Sequence, residues 1–450
     1  MKKILFTVYF LLCGIILITA QTLNSSETAK LKSFLDQESA ESGKKNYQQL
    51  GIQNLETVDW KNVTGLVWNS NDLLDSLRWV RLRLGGDLDL SGFTEVRYIQ
   101  CTHNEYFING LFIDGLRSID VTGCTSLLYF DCYNNSFTSL DISTNINLEF
   151  LCCRWQNNAL KELDLTHNPK LWHFCGTGNQ FEYIDISKNP ELIDFFCAVT
   201  NLKAIDVSKN LKLKEVYLRG NQLTELDFSN HPALEYLTCY DNQLTKLNVS
   251  GCPNLKTLEA HNNQLKEIKI DYLDMNKFTC QNNYLTFSTF PRLKSPESMQ
   301  YAPQKTVKLS VPSNIVDLSS EYTINGVKSI FRWTNYISPI DNDGVFTLNT
   351  SLQNILCYVT NASYPGIMLT YDIELFSAQS ADLLQDIGVY AVGNQLVLKT
   401  DRPLTAEIYT ATGALVKQLN INDGEYMIPM PKGVYIVKLN NGMIQKLFLY

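Results

Sequence analysis

The sequence lacks the short motifs that carry most enzymatic chemistry. It has no HExxH, GxSxG, P-loop or GxGxxG phrase, so the metalloprotease, hydrolase, nucleotide and dinucleotide chemistries built on those phrases have no foothold. No CxxC pair or Cys/His cluster has zinc spacing. Histidine is scarce. His167 and His231 stand at turn positions taken by asparagine elsewhere, and His103 and His261 at strand-to-turn links. A turn substitute explains them better than a general base, which needs a positioned partner. No long basic run is present, which argues against nucleic acid or an anionic membrane as partner. The net charge of −8 is only mildly acidic. After residue 20 no apolar run is long enough to span a membrane. Catalytic residues, metal and cofactor are therefore all expected to be none.

What is present begins with an export signal. Lys2 and Lys3 precede an apolar stretch, Ile4 to Ile18, and Ala20 offers a small-residue cleavage point. Removing residues 1–20 takes the charge from −8 to −10, because those two lysines are the only charges lost. Leu12 before Cys13 is not the small residue a lipoprotein site needs. Export usually goes with disulfides, yet the cysteines do not form a framework. Cys101, Cys132, Cys153, Cys197, Cys239 and Cys280 recur at one position that Leu218 and Ala260 also occupy. Such substitutes mark a small buried apolar slot, and free thiols are expected.

The recurrence is the main signal. Leu148, Leu151, Cys153 and Asn158 form a phrase that returns as Leu234, Leu237, Cys239, Asn242 and as Leu255, Leu258, Ala260, Asn263. The closing positions Asn158, Asn179, Thr200, Asn221, Asn242 and Asn263 are 21 residues apart. A fixed period of this size means stacked units that bury their apolar sides against one another. The closing asparagines are expected to bond backbone groups at the turn. A second half-phrase, such as Leu140-Asp141-Ile142-Ser143 or Leu226-Asp227-Phe228-Ser229, alternates like a strand and suggests two strands per coil. The row Asp120, Asp141, Asp164, Asp185, Asp206, Asp227 has the charge for calcium, but it lacks a glycine-rich rhythm and ends at Asn248 and Lys269. An insertion, Glu105 to Gly115, must bulge out as a loop.

This stretch resembles the bacterial leucine-rich repeat family, more narrowly its 21-residue class with nested LxxLxLxxN and LxxLDLxxN halves. The resemblance implies a solenoid over 88–290. Before it, 21–87 carries Leu31, Phe34 and Leu35 at helical spacing, with Ser26 or Thr28 as cap, and Trp60, Trp68 and Trp79. A cap over the open end of the stack is expected there in preference to a Trp-lined ligand site. After it, 291–378 contains six short apolar runs with Asn325-Gly326 and Asp343-Gly344 turns, suggesting a β-sandwich loosely resembling immunoglobulin domains, with Trp333 and Cys357 at core positions. Residues 379–450 resemble the C-terminal sorting domain of Bacteroidetes type IX secretion, through Gly413, Gly433, Tyr435 and the strand around them. The expected fold is mainly β: short helical cap, solenoid, sandwich and small C-terminal β domain.

The outward positions beside the inward Leu and Cys are Tyr98, Tyr129, Tyr133, Phe150, Arg154, Trp155, His173, Phe196, Tyr217, Arg219, Tyr236 and Tyr240. Alternate residues share a sheet face, and Tyr, Trp and Arg dominate recognition hot spots. Cross-strand pairing that only stabilises the sheet is the competing account. The expected function is a secreted or cell-surface, outer-membrane-attached binding protein, a monomer whose aromatic face takes a protein or glycan. The alternatives are a glycan- or peptide-processing enzyme or accessory, with a site at the 105–115 loop or the Trp-rich cap, and a structural surface-layer component.

Overall fold

The computed structural model describes residues 23–104, 106–108, 111–294, 298–311, 314–334, 337, 339–348, 354–375, 388–392, 395–400, 403–410, 414–422, 424–440 and 444–449. The signal segment 1–20 and Gly413 lie outside them. The chain divides into two compact units, Met1–Lys305 with Tyr364–Leu369, and Thr306–Ser363 with Thr370–Tyr450.

The first unit is a mainly β solenoid. Twelve short strands form one sheet, from Leu66–Trp68 and Leu74–Arg78 through Tyr98–Gln100, Tyr129–Asp131, Phe150–Cys152, His173–Cys175, Asp194–Phe196, Glu215–Tyr217, Tyr236–Thr238, Thr257–Glu259 and Lys277–Thr279 to Ser298–Gln300. After the first antiparallel pair, every pairing is parallel, so each coil repeats the last one. The middle residue of each strand points inward: Ile99, Phe130, Leu151, Phe174, Phe195, Val216, Leu237, Leu258 and Phe278 are all completely buried. Cys101, Cys132, Cys153, Cys197, Cys239 and Cys280 line the slot two residues further on, free and completely buried, as the Leu and Ala substitutes predict. Gly176 holds that slot in one coil because the Phe174 and Phe181 rings fill the space where its Cβ would go.

Polar ladders close the coils. Asn179 donates to the carbonyls of Cys153 and Gly176, 3.0 Å each, and accepts from the Leu160 amide at 2.9 Å. Asn221, Asn242, Asn263 and Asn283 repeat this pattern. One assignment is corrected. In the coil of Cys153 the ladder residue is Gln156, not Asn158: Gln156 is buried and bonds Cys132 O, Cys153 O and the Phe137 amide, while Asn158 is exposed and bonds only Ser136 O. The two extra residues of this coil follow the ladder position, so the 21-residue count from Asn179 lands on the wrong amide. The ladder also runs one coil past the loss of sequence period, where Gln304 bonds Cys280 O, Tyr301 O and the amides of Asn283 and Leu285.

A second ladder occupies the other turn. Asn145, Asn168, Asn189 and Asn210 each donate to carbonyls of two coils, and Cys124, His231 and Cys252 take the same place. His231 is thus a turn substitute as read, but His167 stands one residue before Asn168, exposed and 3.4 Å from Asp164. The second half-phrase is only partly strand. Glu225–Asp227, Lys246–Val249 and Ile268–Ile270 form one small sheet, and Gly86–Asp89 pairs with Leu116–Asp120. In the coils between, Leu140, Ile142, Leu163, Leu165, Ile184, Ile186 and Val207 are still buried without strand pairing. There the Asp carboxylates accept the amide two residues on, as at Ser143, Thr166, Ser187 and Ser208. This turn bond holds the carboxylates of Asp141 and Asp206 below their usual range, and at Asp164 the Thr166 hydroxyl does so first and the Thr166 amide second.

At the N-terminal end, helix α1 (Ser25–Leu35) is capped by Asn24, whose side chain accepts from the Ser26 and Glu27 amides, not by Ser26 or Thr28. It buries Leu31, Phe34 and Leu35. Trp79 is buried against Phe34 and donates to Thr64 O, and Trp68 donates to Trp60 O. The 105–115 insertion carries a hairpin, Tyr106–Ile108 with Leu111–Ile113.

The second unit contains a four-stranded sheet in the order Val307–Val311, Met368–Leu375, Asn354–Thr360, Ile330–Trp333, and a three-stranded sheet of Ile315–Asp317, Val345–Thr347 and Ile340–Asn342. Asn325-Gly326 and Asp343-Gly344 take positive φ, as tight hairpin turns require. Cys357 is buried and is the register partner of Trp333. Residues 388–449 add a three-stranded and a four-stranded sheet around a core that includes Tyr435. The Tyr435 hydroxyl donates to Pro431 O at 3.0 Å, beside Gly433. No helix among the described residues is long and apolar enough to cross a membrane.

Candidate functional site

The long sheet turns three columns of side chains outward. The first residue of each strand gives Tyr98, Tyr129, Phe150, His173, Asp194, Glu215, Tyr236, Thr257 and Lys277. The third residue gives Gln100, Asp131, Cys152, Cys175, Phe196, Tyr217, Thr238 and Glu259 in the same register. The next outward position, two residues on, gives Tyr133, Arg154, Arg219, Tyr240 and His261. All twelve residues singled out from the sequence are half-buried or exposed, and none is turned into the core. They do not form one uniform stripe. Tyr98, Tyr129, Phe150, His173 and Tyr236 share the first column, Phe196 and Tyr217 the second, and Tyr133, Arg154, Arg219 and Tyr240 the third.

Trp155 is off the strands. It sits in the left-handed region (φ 51°) at the turn, where other coils place Asn134, Gly178, Gly220, Asp241, Asn262 or Asn282. Glycine, asparagine and aspartate tolerate that conformation, and bulky or β-branched residues do not. Trp155 and Val199 (φ 52°) are nevertheless there, each with under half of its surface exposed, and the Trp155 ring lies over Gly178.

The first column is a stack of rings. Tyr98–Tyr129, Tyr129–Phe150 and Phe150–His173 each have centroids 4.3 Å apart, with planes within 9° of parallel. His173 then meets Phe196 edge-on at 5.2 Å, and Phe196 meets Tyr217 edge-on at 4.7 Å. Arg154 lies 4.4 Å over Tyr133. Burial and neighbouring carboxylates raise the Tyr129 and Tyr217 hydroxyls above the ordinary tyrosine range, so both remain protonated donors. Leu128, Trp172 and Ile193, beside the first column, add apolar surface. Towards the C-terminal coils the face changes to paired charge, with Glu235 between Lys214 and Lys256, and Glu259 on Lys277. The aromatic patch therefore belongs to the coils between Tyr98 and Tyr217.

The sequence reading passed over three neighbours on this face. Asp131 is buried, takes weak bonds from Gln100 and Tyr129 at 3.3 and 3.5 Å, and has one carboxylate oxygen without a partner. Cys152 and Cys175 are register partners on adjacent strands. His173 has a positioned partner after all, with Nδ1 3.0 Å from Asp194 Oδ2. The outward position of Asp131, Cys152 and Cys175 at the third strand residue is the sequence signal for all three. The Trp residues of the cap are engaged in the packing given above. Among the described residues no group of His, Cys, Asp or Glu is arranged to hold a metal ion. On the other side of the coils, a groove lined by Asp206, Asp227, Lys246, Asn248 and Lys269 is of mixed charge.

The fold is a leucine-rich repeat solenoid. No protein-family model and no curated protein matches the sequence. Solved structures do. The functional domain of InlJ from Listeria monocytogenes, described as including a cysteine ladder, is similar at 21% identity and a TM-score of 0.48, over 64% of this chain and 69% of that one. YopM from Yersinia enterocolitica is similar at 19% identity and a TM-score of 0.31, over 48% of this chain and 53% of that one. A leucine-rich repeat protein of Leptospira interrogans is similar at 16% identity and a TM-score of 0.25, over 51% and 84%. The fold assignment rests on the coils and their hydrogen bonds, not on these likenesses.

Proposed function

We propose that this chain is a secreted or cell-surface binding protein, adhesin-like, whose aromatic sheet face between Tyr98 and Tyr217 holds a polypeptide ligand. The observation that carries it is the rigid ring stack with flanking apolar residues left open on one face, where a solvated sheet ordinarily carries small polar and charged groups. A protein ligand is favoured over a glycan by the same geometry. Sugars stack on ring faces, but Tyr129 and Phe150 have both faces covered by neighbouring rings and present edges and one hydroxyl. Edges and hydroxyls suit the apolar side chains and carbonyls of a polypeptide. Around this face we read residues 1–20 as an export signal, the 291–378 segment as an immunoglobulin-like spacer, and 379–450 as a type IX-like sorting domain that attaches the chain to the outer membrane, acting as a monomer.

The test uses the full chain against combinatorial peptide arrays and glycan arrays in parallel. Peptide binding is expected, and Tyr129→Ala with Phe150→Ala should weaken it at least tenfold, about 1.4 kcal/mol, with an unchanged circular dichroism spectrum. Binding to glycans alone, or peptide binding that survives both substitutions, would refute the reading.

A further inference from the structure

Eleven described cysteines are buried and unbridged, but they are not equivalent. Those of the interior column have no accessible surface, and burial raises their thiols far above the ordinary range. Cys152 and Cys175 belong to the outer sheet face and keep 7% and 5% of their surface. They are register partners on neighbouring parallel strands, so their side chains stand next to one another on the outer face. Strand neighbours are about 4.8 Å apart, inside the Cα separation of roughly 4.4–6.8 Å that a disulfide accepts.

Their surroundings differ from one side to the other. On the Cys152 side stands Asp131, a register partner whose Oδ1 is buried with nothing bonded to it. Burial raises this carboxyl above its usual range, against the Gln100 bond to Oδ2. On the Cys175 side stand His173, which Asp194 holds through Nδ1, and the Thr177 amide, with the Arg154 guanidinium near both thiols. The neighbouring Cys152 thiol, the Thr177 amide and the Arg154 guanidinium outweigh burial and hold the Cys175 thiol below the ordinary thiol range. Cys152 moves the other way.

We propose that Cys175 and Cys152 form a thiol-exchange site for small disulfides, with Cys175 as the attacking thiolate, Cys152 as the resolving thiol and Asp131 as the acceptor of its proton. The Cys175 thiolate attacks one sulfur of a low-molecular-weight disulfide, breaking its S–S bond and releasing one thiolate. Cys152 passes its proton to Asp131 Oδ1 and attacks the Cys175 sulfur, forming the intrachain bond and releasing the second thiolate. Asp131 returns the Cys152 proton to one released thiolate, and the other takes from water the proton that Cys175 gave up on ionising, so one disulfide is reduced to two thiols as one is formed. The interior cysteines, unreachable and un-ionised, take no part.

The probe is oxidised glutathione added to the reduced full chain, followed by alkylation and peptide mapping. Expected is a Cys152–Cys175 crosslink with two glutathione molecules released per chain. Cys152→Ser should stop at a mixed disulfide on Cys175, Cys175→Ser should give neither product, and Arg154→Gln should slow the first step severalfold. Near-ultraviolet circular dichroism verifies that each variant is folded. Folded wild-type protein that stays unmodified, a crosslink to Cys153 or another interior cysteine, or glutathione on Cys152 in Cys175→Ser would overturn the proposal. The assay needs no peptide ligand, so its failure leaves the binding reading intact, and the reverse holds too.

Discussion

Replacing Gln156 by alanine should damage the solenoid, and replacing Asn158 should not. Gln156 makes three bonds: Nε2 to Cys132 O at 2.9 Å and to Cys153 O at 3.2 Å, and Oε1 from the Phe137 amide at 3.2 Å. Both carbonyls keep a second partner, because Asn135 also bonds Cys132 O and Asn179 also bonds Cys153 O. The Phe137 amide is buried and is left with none. One orphaned buried donor costs about 1–3 kcal/mol, and each lost bond to an already satisfied carbonyl roughly 0.5–1 kcal/mol. The sum is about 2–5 kcal/mol for Gln156→Ala. Asn158 is exposed with one bond of 3.1 Å, so Asn158→Ala should cost under about 1 kcal/mol. Urea midpoints at constant m-value measure both, and amide exchange at Phe137 reads the local effect directly. Equal costs for the two variants, or a larger one for Asn158→Ala, would refute the ladder assignment and restore the 21-residue count.

Other outcomes follow from particular residues. Val199→Asn removes a β-branched residue from a left-handed position and should raise stability by about 1 kcal/mol, read as a higher urea midpoint. Gly178→Ala places a Cβ 2.1 Å from the Trp155 ring at φ +76°; it should cost about 1–3 kcal/mol and shift tryptophan fluorescence to the red as Trp155 is displaced. Asp131 has a folded pKa raised by burial from 3.8. Its contribution to stability is fully present below 3.8 and is lost as pH rises through the folded value. Asp131→Asn should therefore gain stability relative to the parent as pH rises from 3.5 to neutrality, measured by urea midpoints along that range; a constant difference would contradict the assignment.

The parts of the fold legible in the sequence are those that burial forces to repeat. Leu, Phe and Cys at fixed spacing must face inward, and Cys101 to Cys280 do. Outward placement of the aromatics followed from the same alternation. The failures have local causes. Two inserted residues moved an unrelated asparagine, Asn158, onto the expected count, and a glutamine does the ladder's work. The last coil went unseen because Met299 and Tyr301 replace the usual leucine and cysteine. The second turn ladder mixes Cys, Asn and His, which share only hydrogen bonding to carbonyls. At Cys152-Cys153 two adjacent identical residues face opposite ways, so one hid the other.

The central claim is that the contact surface is the aromatic face between Tyr98 and Tyr217, and not exposed aromatics in general. Tyr183 and Tyr272 are each 64% exposed and lie off that face. The most direct measurement is the affinity of one array-selected peptide for three proteins: the parent, Phe150→Ala and Tyr183→Ala. The account predicts at least a tenfold loss for Phe150→Ala and no change for Tyr183→Ala; equal losses, or a loss confined to Tyr183→Ala, would contradict it.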